Sequence, residues 1–109
     1  MRAGIFIAFA AAAFAAMAGP AQAETITVAI DKVAYAPVKI SARVGDTIVW
    51  TNNDILAHTA TSRDKTPGKA WDLMIMPKKS QSLTLKYAGD IDYYCRFHPN
   101  MVGHISVSP

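Results

Sequence analysis

A single cysteine, Cys95, stands among the 109 residues of this chain. An internal disulfide is therefore excluded, although small exported domains are often stapled by several. No apolar run is long enough to cross a bilayer: Ile5 to Ala18 is unbroken, but a span takes about 20 such residues. No stretch shows a 3.6-residue apolar period, which removes the usual signal for amphipathic helices. A concentrated basic surface is missing too. Eleven Lys and Arg face eight Asp and Glu, for a net charge of +3, and the cations are scattered from Lys32 to Lys86, so nucleic-acid binding gains no support.

What the N-terminus does have is the grammar of an export signal. Arg2 supplies a positive end, the apolar run follows, Gly19-Pro20 breaks it, and Ala21-Gln22-Ala23 is the small-x-small pattern that signal peptidase accepts. Residues 1–23 are expected to be a cleaved signal peptide, leaving a soluble periplasmic domain over 24–109 with no membrane insertion. Cys95 lies far from the cut, so a lipid-anchored product is excluded. One domain of this size buries roughly 60–65% of the surface its unfolded chain exposes. With no disulfide, either that core suffices alone or a metal helps to staple it.

Alternation with period two recurs along the remaining chain: Ile26, Val28, Ile30; Ile48, Trp50; Leu83, Leu85, Tyr87; Ile91, Tyr93, Cys95; Ile105, Val107. Each set reads as a strand with one buried face. Turn signals separate them, among them Ala36-Pro37, Gly45-Asp46, Asn52-Asn53-Asp54, Pro67-Gly68 and Ala88-Gly89-Asp90. The pattern predicts a β-sandwich with Ile48, Trp50, Leu83, Leu85, Tyr93 and Val107 pointing inward. Thr61 to Lys69 reads as the longest loop, and Trp71 to Met76 is ambiguous between a short strand and a packed loop.

The segment that carries chemistry is Tyr93-Tyr94-Cys95-Arg96-Phe97-His98-Pro99-Asn100-Met101. A thiol, an imidazole and a thioether recur at every third position, across a strand end and a Pro-containing loop that can turn all three toward one point. An exported thiol outside a disulfide is open to oxidation, and metal ligation accounts for it. A second imidazole must come from elsewhere. His58 follows the predicted strand Thr47 to Asn52 and a short loop, which brings it over the end of the sandwich. His104 alternates with Ser106 against Ile105 and Val107 and belongs on the polar face of the last strand. Thiolate, two imidazoles and a weak thioether match a trigonal copper site with a long axial Met. Zinc gains little from a thioether.

These residues resemble the cupredoxins, the blue copper proteins, and within that family the amicyanins. The likeness runs through Val44 to Asn52, Met76 to Leu85, and Asp92 to Cys95 with its loop, where two residues separate Cys95 from His98 and two separate His98 from Met101. It implies an all-β Greek-key sandwich of about seven to eight strands. It also implies one copper ion cycling between Cu(I) and Cu(II), with His58, Cys95 and His98 equatorial and Met101 axial. The implied role is a monomeric one-electron carrier, not an enzyme, between an amine dehydrogenase and a c-type cytochrome. Thr59 departs from the pattern, since amicyanins carry Asn there. Its N–H can still donate to the copper-bound sulfur, while the tie between the two ligand loops is expected to be weaker.

Two other readings compete. An exported copper-delivery protein would use the same donors and could recruit Met74 and Met76. A thiol hydrolase would pair Cys95 with His98, but so small a sandwich leaves little room for a substrate cleft.

Overall fold

A computed structural model describes residues 22–109; the expected signal segment lies outside the described residues except for its last two, Gln22 and Ala23. The described chain forms nine strands: β1 (Thr25–Asp31), β2 (Ala34–Ala36), β3 (Lys39–Arg43), β4 (Thr47–Asn52), β5 (His58–Ser62), β6 (Asp72–Ile75), β7 (Ser80–Thr84), β8 (Gly89–Tyr94) and β9 (Val102–Ser108). They make two sheets, ordered β2-β1-β4-β7 and β3-β9-β8-β5-β6. The pairs β1–β4 and β3–β9 are parallel, so the chain crosses between sheets rather than meandering. The expected all-β sandwich is what forms, with one strand more than the upper end of the expected count.

Alternation explains the burial. Val28 and Ile30 in β1, Ile48 and Trp50 in β4, Tyr93 in β8, and Ile105 and Val107 in β9 all face the space between the sheets. Leu85 is buried just past the end of β7, and Leu83 is half-buried against the same cluster. The centre is aromatic. Trp50 Nε1 donates to Tyr93 Oη at 3.1 Å, and the Tyr35 and Tyr93 rings lie 4.6 Å apart. Rings of this size contribute about 4–6 kcal/mol each from burial, before entropy is counted. Burial pushes the Tyr93 phenol up to about 12, because its ionised form would stand in an apolar interior, and the hydrogen bond from Trp50 offsets only part of that rise.

Two local expectations need correction, and one ambiguous segment resolves into a strand. Leu83, Leu85 and Tyr87 do not form one strand: β7 stops at Thr84, Leu85 turns back to exchange backbone bonds with Gly45 and Asp46, and Tyr87 is half exposed beneath Lys69. Thr61 and Ser62 belong to β5 rather than to the loop that follows. The ambiguous segment is a strand, β6, paired antiparallel with β5 so that Ile75 lies opposite His58 and Met74 opposite Thr59.

Candidate metal centre

β4 ends at Asn52, whose fully buried side chain shapes the loop that leads to β5. Its Nδ2 donates to the carbonyls of Leu56 at 2.8 Å and Ile75 at 3.0 Å, while its Oδ1 accepts the Asp54 N–H at 2.9 Å. The chain is thereby folded back, and His58 opens β5 with no solvent exposure. The Asp54 carboxylate faces His58 Nε2 at 2.8 Å. It also accepts the N–H groups of Lys32 at 2.7 Å and Val33 at 3.0 Å, in the turn between β1 and β2. These donors, Val33 first, hold the Asp54 carboxyl below the usual carboxylate range. An ionised carboxylate at Nε2 accepts a hydrogen bond from the ring N–H there, which keeps the proton on Nε2 and leaves the Nδ1 lone pair for a metal.

Cys95 lies one residue beyond β8 and is buried. The loop after it closes on itself: His98 N–H donates to Cys95 O at 3.3 Å, Met101 N–H to His98 O at 2.8 Å, and Cys95 N–H to Met101 O at 3.0 Å. That curl folds His98 back onto Cys95, and Met101 closes it through its backbone. Cys95 Sγ stands 3.8 Å from His58 Nδ1 and 3.7 Å from His98 Nδ1. The three donor atoms all lie within 4.8 Å of one another, and the two imidazole rings are 4.9 Å apart between centroids. His58 and Cys95 are buried, and His98 is half-buried at the end of the sandwich. Met101, also buried, ends the loop and leads into β9.

Thr59 carries the two contacts that bind β5 to this loop. Its N–H donates to Cys95 Sγ at 3.3 Å, as anticipated. Its hydroxyl also accepts the Arg96 N–H at 2.9 Å, so the tie between the ligand loops, expected to be weaker with Thr than with Asn, is made by the Thr hydroxyl itself.

His104 takes no part. It stands on the polar face of β9, with Nδ1 at 2.7 Å from Asp92 Oδ1 and Nε2 at 3.5 Å from Asp90 Oδ1. Met74 and Met76 are exposed on either side of buried Ile75. Asp54 and the hydroxyl of Thr59 went unsuspected from sequence. The only signal for Asp54 was its position four residues before His58, which in a loop fixes nothing.

One thiol and two imidazole nitrogens from three positions, in a buried end of a rigid sandwich, fit copper. Residues 4–107 match the cupredoxin-like domain, and the chain belongs to that family. It is 37% identical over 84 residues to amicyanin of Paracoccus denitrificans, covering 75% of this chain. It is 34% identical over 113 residues to plastocyanin of Nostoc punctiforme, covering 86% of this chain and 81% of that one. A solved amicyanin variant in the Cu(I) state superposes with a TM-score of 0.71 at 31% identity, over 77% of this chain and 82% of that one. The chain spans about two thirds of the length of the Paracoccus amicyanins it matches, 66% and 64%.

Proposed function

We propose that the protein is an exported one-electron carrier of the periplasm, and that His58, Cys95, His98 and Met101 hold a single copper ion. When bound, copper supplies a Cu(I)/Cu(II) couple, and no substrate is transformed. The observation that carries this reading is the convergence of Cys95 Sγ with two imidazole Nδ1 atoms at 3.7 and 3.8 Å, with a backbone N–H already donating to the sulfur. A donor set fixed by two sheets moves little when charge arrives, and so the barrier to transfer is low.

The residues divide the work. His58, sealed in and backed by Asp54, fixes the inner side of the site. His98, half-buried and next to Phe97, which is 46% exposed, offers an imidazole edge at an apolar surface. Such an edge can be pressed dry against a redox partner. The likeness to amicyanins supports an amine dehydrogenase as donor and a c-type cytochrome as acceptor, each meeting a monomer of this chain. Removal of residues 1–23 at the Ala21-Gln22-Ala23 signal accounts for export, and among the described residues no helix is long and apolar enough to cross a membrane.

Addition of copper(II) to the purified metal-free protein tests the reading. An intense blue band is expected, lost altogether in Cys95→Ser and kept, with a lower midpoint potential, in Met101→Gln. A colourless, readily exchanged copper complex would overturn the carrier and favour delivery.

A further inference from the structure

Behind the thiolate loop lies a closed ring of hydrogen bonds that the ligands alone do not require. Arg96 N–H donates to Thr59 Oγ1 at 2.9 Å, Thr59 Oγ1 meets Thr61 Oγ1 at 2.9 Å, and Thr61 Oγ1 donates to Asp72 Oδ1 at 2.6 Å. Arg96 Nε then donates to the same Asp72 oxygen at 3.0 Å. Three elements are joined: β5, β6 and the loop after Cys95. We propose that Asp72 is a positioning residue for the metal centre, whose carboxylate sets the direction of this circuit and so holds the Cys95 loop against β5.

The direction follows from proton counting. An ionised carboxylate only accepts, so the single hydroxyl proton of Thr61 is committed to Asp72. The Thr59–Thr61 contact must then use the proton of Thr59, which leaves a Thr59 lone pair for the Arg96 N–H. Thr59 and Thr61 are buried, whereas Asp72 and Arg96 have side chains 51% and 39% exposed. As a surface ion pair, Asp72–Arg96 contributes little. Its effect lies in orienting two buried hydroxyls that have no water to turn to. The Asp72 carboxyl is held below the usual range by Thr61 first and Arg96 second, in keeping with an acceptor at the end of the chain.

The effect reaches the sulfur because Thr59 touches the site twice, through its hydroxyl to Arg96 and through its N–H to Cys95 Sγ. Without Asp72, Thr61 no longer has a fixed proton direction, Thr59 can turn its own proton toward Arg96, and the loop loosens. A longer N–H···S contact leaves more charge on the thiolate, which favours Cu(II). This inference rests on the copper ligands proposed above.

Asp72→Ala and Asp72→Asn separate the circuit from plain electrostatics, since both remove the negative charge while Asn keeps a carbonyl oxygen for Thr61 and Arg96. The midpoint potential of Asp72→Ala is expected to lie below that of Asp72→Asn, with copper(I) losing about tenfold more affinity than copper(II). Thr61→Val, which leaves the charged pair in place, should follow Asp72→Ala. In the metal-free protein, the Arg96 amide should exchange with deuterium faster in Asp72→Ala and Thr61→Val than in wild type or Asp72→Asn. Equal potentials in the two Asp72 variants, or a wild-type potential and Arg96 exchange rate in Thr61→Val, would overturn the proposal. A wild-type protein that binds copper without blue colour would instead remove the ligand assignment, and the exchange measurement would still decide whether the circuit exists.

Discussion

Gly103 lies directly across from Tyr93 in the β8–β9 ladder, and the tyrosine ring fills the space where a side chain would be. A Cβ at Gly103 would sit 2.3 Å from Tyr93 Cζ and 2.5 Å from its Oη. That contact cannot exist, so the ring would have to move, and with it the oxygen that accepts from Trp50. Gly103→Ala is expected to destabilise the protein by about 1–3 kcal/mol, the usual cost of overpacking. Chemical denaturation measures it, and wild-type stability would mean that the aromatic centre yields freely. At this scale the donors were the most readable part of the sequence. Cys95 and His98 announce themselves by spacing, and His58 by following a strand. Asp54 and the Thr59 hydroxyl were not readable, because their partners, Lys32, Val33 and Arg96, come from other parts of the chain and only the fold brings them near.

Two elements show how local structure departs from simple pattern. The β1–β2 turn is two residues long, and Lys32 and Val33 both have positive φ, 53° and 59°. A turn of that kind suits Asn and Gly, while a β-branched residue there is strained. Asp54 steadies it by accepting both N–H groups. Val33→Gly is therefore expected to raise stability by about 1 kcal/mol, read from the shift in urea midpoint. A loss would mean that the Val33 side chain outweighs its backbone strain.

On the β8–β9 face, Asp92, and to a lesser degree Asp90, raise the His104 pKa above its ordinary value. A group whose folded pKa is raised stabilises fully below its unfolded value, about 6.5, and loses that contribution as pH rises through the folded value. The stability difference between wild type and His104→Gln should thus be largest at pH 5 and fade by pH 8. A difference independent of pH would sink this account.

Strand legibility followed the same logic. β1, β4, β8 and β9 alternate cleanly because one face is core and the other water. β5, with the sequence His58-Thr59-Ala60-Thr61-Ser62, is buried on both faces and has no apolar alternation to read. Its hydroxyls are satisfied by each other, by Asp72, and by the backbone carbonyls of Asp64 and Trp71.

For the molecule as a whole, the two sheets and their aromatic centre stand without any crosslink, and the metal site joins β5 to the loop between β8 and β9. Binding to the folded state alone adds RT ln(1 + [L]/Kd), about 2.7 kcal/mol at a free copper concentration a hundred times Kd. Copper should accordingly raise the thermal midpoint of the wild-type protein but leave Cys95→Ser much less affected, as differential scanning calorimetry would show. An equal rise in both would place the stabilising ion elsewhere.

The sandwich is also closed at its first described strand. Glu24 N–H donates to the buried carboxylate of Asp46 at 2.8 Å, and the same carboxylate accepts the Arg43 N–H at 2.9 Å. The Glu24 N–H is the foremost cause holding the Asp46 carboxyl below its usual range. If the chain is cut after Ala23, that amide nitrogen becomes a free ammonium already seated on its counterion. Proteolysis would then do more than release the domain. It would turn a neutral donor into a charged one beside a waiting anion, so that the cut that frees the domain also fastens its first residue.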